Sequence, residues 1–241
     1  MKVFVFQNKE ELGKALGKEF ALLVKNNPKA ILGLATGSSP LETYNAMVEA
    51  YQAEGVSFAK ISSFNLDEYL SCPLKDQTYR YFMEENLFSR IDIDRENTHF
   101  PSVKELGDYD EEIEEAGGVD FQLLGIGRNG HIGFNEPNTP FDSKTHIVDL
   151  TESTREANAR FFHDDINLVP TQAVTMGIGT IKKSRRIALI ANGVDKAEAI
   201  AMLYREEENP LFPATALVHH PAFELYVTVD VDEAAKKLLK K

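Results

Sequence analysis

The sequence has little cysteine, an excess of acid over base and no long apolar run. Of 241 residues one is a cysteine, Cys72. An intrachain disulfide is therefore excluded, and a reducing compartment is the natural setting. Cys72 precedes Pro73 with no histidine close in sequence, so it reads as an inert thiol rather than a nucleophile. Lys and Arg number 26 against 38 Asp and Glu, a net charge of −12. That sets aside a sequence-independent nucleic-acid binder, which needs a basic face to displace counterions. It does not set aside an anionic small molecule, because a few local donors hold one phosphate. No run of about 18 apolar residues is present, so no membrane partner is expected. The opening MKVFVFQNKEEL lacks the apolar core of a signal peptide and reads as a first strand, so a cytoplasmic protein is expected. Hydrophobic residues at 43% and charged residues at 27% suffice for a real core.

The most informative stretch is Asp120 to Pro140, DFQLLGIGRNGHIGFNEPNTP. Phe121, Leu123, Leu124 and Ile126 make a strand covered on both faces. Gly125, Gly127, Gly130 and Gly133 then permit close approaches, and Pro137 and Pro140 forbid a helix directly afterwards. Asn129, His131 and Glu136 sit in this irregular segment. A loop at the carboxyl end of a strand is where α/β proteins place sites. Gly125 to Gly130 also fits G-x-G-x-x-G, with Asp149 downstream as a ribose-binding acid. That fingerprint needs a helix beginning at the glycines, and HIGFNEPNTP has no 3.6-residue period, so a dinucleotide is not expected.

Elsewhere strands and helices alternate. Asn8 caps a helix with Glu11 three residues on, and Leu12, Leu16, Phe20 and Leu23 recur at helical spacing. Ala30–Leu34 is a buried strand. Thr36-Gly37-Ser38-Ser39-Pro40 turns from it into a helix marked by Tyr44, Val48 and Tyr51, a geometry that offers backbone N–H groups and hydroxyls to an anion. Ile61–Leu66 is a third strand, ending in Asp67 and Glu68. Neighbouring side chains alternate, so one of the pair enters a cleft, and Asp67 is the candidate. The run DYDEEIEE at 108–115 reads as a solvated helix face. Helices are also expected at Thr78–Leu87, Thr154–Phe162, Lys196–Tyr204 and Glu233–Lys240, and strands at Ala173–Met176, Arg186–Ile190 and Leu225–Val229. This alternation predicts a single three-layer α/β domain of Rossmann-like form, a mostly parallel sheet with helices on both faces.

Three strand-end segments, ATGSSP at 35–40, NLDEY at 65–69 and GIGRNGHIGFNEP at 125–137, together resemble the glucosamine-6-phosphate deaminase family along essentially the whole chain. The resemblance implies conversion of glucosamine 6-phosphate and water to fructose 6-phosphate and ammonia. It implies Asp67 as the base that moves a proton from carbon 2 to carbon 1, and His131 as the acid–base group that opens the ring, oriented by Asn129 and Glu136. It places the phosphate on Gly37, Ser38 and Ser39, with Arg160 and Lys196 completing the grip. No metal and no cofactor is implied, and the partner is a small-molecule sugar phosphate. A homo-oligomer is compatible with the resemblance, since family members range from monomers to hexamers. A related family, the 6-phosphogluconolactonases, differs around DEY and FNEP.

Departures from the family pattern matter. Some members carry aspartate where this chain has Asn129; an amide orients an imidazole without adding charge, so Glu136 must supply it. The phosphate turn reads Gly-Ser-Ser-Pro rather than Gly-Gly-Thr-Pro, which keeps the backbone donors. The segment 161–173 matches a lid, with His163 as a substrate contact. Members activated by N-acetylglucosamine 6-phosphate carry basic residues after the signature loop and a longer tail. Here that stretch reads Ser143 to Val148 and the chain stops at Lys241, so an unregulated enzyme is expected.

Overall fold

The computed structural model describes residues 1–103 and 108–240. In chain order its regular elements are β1 (Lys2–Phe6), α1 (Lys9–Asn26), β2 (Ile31–Leu34), α2 (Leu41–Glu54), β3 (Ser62–Asn65), β4 (Asp67–Tyr69), α3 (Tyr79–Asn86), β5 (Thr98–His99) and α4 (Asp108–Glu115). There follow β6 (Phe121–Gly125), β7 (His146–Asp149), α5 (Glu152–Ala159), β8 (Gln172–Thr175), α6 (Ile178–Lys182), β9 (Arg186–Ala191), α7 (Ala197–Tyr204), β10 (Phe223–Thr228) and α8 (Val229–Leu238). Seven strands form a wholly parallel sheet in the order β1-β10-β9-β6-β2-β3-β5, covered by helices as the alternation predicts. Its centre is apolar: Leu32, Phe121, Leu123, Leu189 and Leu225 are fully buried. From β2 the chain runs outward to β3 and β5, then returns to β6 on the other side of β2 and continues to β9 and β10. The β2/β6 boundary is thus the point where strand order reverses, and there the carboxyl ends of two adjacent strands open a crevice.

The local signals work as read at several places. Asn8 Oδ1 accepts from the Glu11 N–H at 2.8 Å, although the Glu11 carboxylate reaches back to the N–H of Gln7 rather than Asn8. Leu12, Leu16 and Phe20 are buried, and Phe20 stacks on Phe121 with ring centroids 4.2 Å apart. Gly13 and Gly17 let α1 lie against α2, since a Cβ on either would fall within 2.4 Å of an α2 atom.

Other expectations are corrected. DYDEEIEE is not simply a solvated face: Tyr109, Asp110 and Ile113 are buried. Asp110 accepts from the Thr145 N–H and from the hydroxyls of Thr145 and Thr180, three donors that offset its burial. The two-residue edge strand β5 is too short to leave a sequence period. The largest difference is a second sheet, antiparallel, in the order β4-β8-β7. Asp67-Glu68-Tyr69, read as the end of a strand, is a strand of its own. The chain changes sheets at Leu66: its N–H bonds Leu34 O at 3.0 Å, and its carbonyl accepts from Met176 N at 2.6 Å. Tyr69, Phe134, Phe162, Val169 and Ala173 form a separate small core beneath this sheet. Helix α5 ends at Ala159, earlier than expected, because the chain must turn to bury Phe162 there.

Candidate active site

Asp67 lies where the chain leaves the main sheet, opposite Thr175 in the β4–β8 register. It is 6% exposed. Burial pushes its carboxyl up to about 8, with a smaller contribution from the Glu68 charge. Glu68 is turned the other way, as alternation requires, and is no solvated carboxylate. Its oxygens accept the N–H groups of Tyr69, Tyr79 and Arg80, so it serves the start of α3. Of the two acids only Asp67 is left to chemistry.

The signature loop folds without a helix, which disposes of the dinucleotide reading. Gly127 N donates to His131 O and Gly130 N to Gly127 O, closing a tight turn. The imidazole of His131 lies flat on Gly127: a Cβ there would meet the ring at 2.1–2.4 Å. Gly130 has a φ of 77° and stands against Phe212, so neither glycine has an ordinary substitute. Behind the ring runs a chain of polar contacts. His131 Nδ1 is 2.7 Å from Asn129 Oδ1, and Asn129 Nδ2 donates to Glu136 Oε2 at 2.7 Å. Because a carboxylate only accepts, Glu136 fixes the amide of Asn129. The amide oxygen then faces the ring, so Nδ1 carries the proton and Nε2 presents a lone pair. Glu136 Oε1 stands 3.6 Å from Nδ1. Burial lowers the His131 pKa, the Glu136 charge raises it and Lys196 lowers it, with the net below the usual value. At neutral pH the ring is therefore an uncharged base. Asn129 and Glu136 divide the work as their chemistry requires, the amide orienting and the acid supplying charge.

Gly133 joins the two halves. Its φ is 58°, and a Cβ there would lie 3.3 Å from Asp67 Oδ2 and 2.9 Å from Thr175 Oγ1. The loop that carries His131 thus rests on the base two residues later. Thr175 Oγ1 in turn accepts from Phe134 N at 3.1 Å. The turn Gly37-Ser38-Ser39 follows β2 beside β6: a Cβ on Gly125 would fall 4.0 Å from Ser39 Cβ. Gly37 has a φ of 91°, and no side chain caps the start of α2. Its first N–H groups are thereby open to a ligand. Lys196 stands at the start of α7, close enough to His131 to act on its titration, with Nζ 3.3 Å from Asp195 Oδ2. Arg160 is set apart: it ends α5 with its guanidinium over Phe161, and no recorded contact links it to the Gly37 turn.

Three contacts could not be read from the sequence. Glu68 as the cap of α3 is one. Thr154 Oγ1 donates to Glu136 Oε1 at 3.3 Å, and Asn158 Nδ2 donates to Tyr69 OH at 2.9 Å. The i, i+4 spacing of Thr154 and Asn158 was the available signal, once α5 was known to face the site. A cavity of about 540 Å³ elsewhere, lined by Arg80, His99, Asp108, Glu111, Glu112 and Glu115, holds none of these side chains. Four carboxylates there would repel a phosphoester, so that cavity is not the site.

With this geometry in place, comparison with known proteins gives a consistent answer. Residues 7–227 match the family described as glucosamine-6-phosphate isomerases/6-phosphogluconolactonase. The chain belongs to that family. It is 46% identical over 242 residues to a glucosamine-6-phosphate deaminase of Shouchella clausii, covering 98% of this chain and 96% of that one. It is 45% identical to one of Clostridium perfringens, each covered in full. A solved monomeric glucosamine-6-phosphate deaminase superposes with a TM-score of 0.92 at 41% identity, over 97% of this chain and 100% of that one. The 6-phosphogluconolactonase of Thermotoga maritima superposes at 0.72 with 20% identity, a likeness of fold. Among the described residues no helix is long and apolar enough to cross a membrane.

Proposed function

We propose that this family member is a glucosamine-6-phosphate deaminase. The observation that carries the reading is Asp67: a buried carboxyl with a raised pKa, placed against the loop that holds a neutral, oriented imidazole. A lactone hydrolase has no carbon acid to deprotonate and no use for such a base. The full-length relatives of known name at 44–46% identity support the same side of the family.

The residues act in sequence. The phosphate docks on the N–H groups and hydroxyls of Gly37, Ser38 and Ser39, with Lys196 as counter-cation. His131 Nε2 takes the proton of the anomeric hydroxyl and delivers it to the ring oxygen, opening the pyranose. Asp67 removes the proton from carbon 2 while the carbon-1 oxygen takes one from the carbon-2 ammonium, giving an enolamine, and Asp67 then returns its proton to carbon 1. That leaves an imine at carbon 2. Water adds there, ammonia departs, and fructose 6-phosphate remains. Burial holds Asp67 protonated near pH 7. A substrate ammonium on carbon 2 brings an opposite charge beside it and draws it back to the carboxylate. The segment 161–173, anchored by Phe162, covers the bound sugar, and His163 lies in it.

The test is product analysis. Purified protein given glucosamine 6-phosphate should release ammonia and fructose 6-phosphate in equal amounts. Hydrolysis of 6-phosphogluconolactone with no ammonia from the amino sugar would favour the lactonase. Binding of either sugar phosphate without turnover would make the chain a sensor.

A further inference from the structure

We infer that Thr154 is a positioning residue for the imidazole of His131, acting through Glu136 and setting the distance between the two. The inference rests on His131 as the ring-opening group.

The argument starts from one proton. A threonine hydroxyl has a single hydrogen to give. Thr151 Oγ1 donates to Thr154 Oγ1 at 2.9 Å, which leaves the Thr154 proton free to go to Glu136 Oε1. Glu136 is then held from two sides: Asn129 Nδ2 bonds Oε2 at 2.7 Å, and Thr154 bonds Oε1 at 3.3 Å. Held this way, Oε1 stops 3.6 Å short of His131 Nδ1, too far for a hydrogen bond. The Nδ1 proton goes to Asn129 Oδ1 instead, at 2.7 Å. Without the Thr154 hydroxyl the carboxylate is free to turn about Cγ–Cδ and close on Nδ1 directly. A direct ion pair favours imidazolium, and an imidazolium cannot accept the anomeric proton.

The hydroxyl can act this way because its helix is fixed. One turn beyond Thr154, Asn158 bonds Tyr69 OH at 2.9 Å, and Tyr69 is two residues from Asp67 on β4. Between them Arg155 Nη2 bonds Ile166 O at 2.7 Å. The groups that set the charge of His131 are few. Glu136 lies in its own loop and Lys196 at the head of α7, where Asp195 pairs with both Lys196 and Arg128. Asp67 faces the same loop across Gly133. Thr154 carries no charge, so its removal adds and deletes none beside His131.

Thr154→Val removes the hydroxyl and keeps the shape; Thr154→Ser keeps the hydroxyl. NMR titration of the His131 ring in the full chain reads the effect directly. The valine variant is expected to raise the imidazole pKa by about half a unit or more. Its kcat on glucosamine 6-phosphate should fall about tenfold with KM within about twofold, and serine should restore both. An imidazole that titrates in the valine variant as in wild type overturns the inference, whatever the rate does. So does a shift that serine fails to reverse. If valine prevents folding, Thr154→Ala under the same titration decides. Should wild type release no ammonia, the proposed function fails, while the titration still answers this question.

Discussion

Asp67 is a carboxyl pushed to about 8 from an ordinary 3.8, by burial first and by Glu68 second. Between about pH 4 and 8 the folded chain therefore keeps a proton that the unfolded chain has released. Stability from this group falls as pH rises through that window. Asparagine has no such titration. Asp67→Asn should thus be more stable than wild type at pH 8, by roughly 2 kcal/mol or more, and the gap should close toward pH 4. Urea unfolding at pH 5 and 8 checks this; an equal difference at both would deny that the burial is costly. The same group sets the acid limb of kcat/KM, which should rise with pH up to about 8 as the free enzyme's base ionises. Gly127 makes the complementary case. A methyl there overlaps the His131 ring at 2.1 Å, so Gly127→Ala should leave the fold intact and lower kcat by about a hundredfold through displacement of the imidazole. Residue identity was legible at these positions because glycines, an amide, an imidazole and an acid crowded one loop, and Asp67 closed another strand. What the glycines were for was not, since that depends on which side chain lies over each.

Helices and the main sheet were legible where one apolar face repeated: β2, β6 and β9 fall within a residue or two of their expected spans, and α1 and α2 begin directly after Asn8 and Pro40. The second sheet was not. Its strand β8 was expected at Ala173–Met176, but β4 has three residues and follows β3 after a single residue, so no period of two sets it apart and nothing in the sequence pairs it with β8. Missing it hid the device that presents Asp67 inward while Glu68 receives the first N–H groups of α3. Glu68→Ala should cost about 1–2 kcal/mol, as loss of a helix cap does, and should disturb Asp67 as well because the two are adjacent in β4. Thermal unfolding beside a rate assay separates the losses. An unchanged midpoint would mean that Thr78, which accepts from Tyr81 N, caps α3 alone.

Across the whole molecule, the proposed site draws on both sides of the strand-order reversal: the Gly37 turn follows β2 and the imidazole loop follows β6. Alternating elements made the parallel sheet legible, but strand order is a matter of which hydrophobic faces meet, and one sequence does not state it. The stretch read as unregulated is occupied structurally. Ser143 O and Oγ accept from Gly179 N and Ile178 N, Thr145 bonds Asp110, and Val148 lies against the small second core. Initial rates should therefore be hyperbolic in glucosamine 6-phosphate and unmoved by N-acetylglucosamine 6-phosphate. A sigmoidal curve that the acetylated sugar straightens would contradict this.

The measurement that bears most directly on the paired Asp67 and His131 is ammonia release from glucosamine 6-phosphate by wild type and Asp67→Asn at pH 8, assayed side by side. Loss of the carbon base should lower the rate about a thousandfold or more in a protein that still folds and still binds the sugar phosphate. A variant that retains a tenth or more of the wild-type rate would contradict the account.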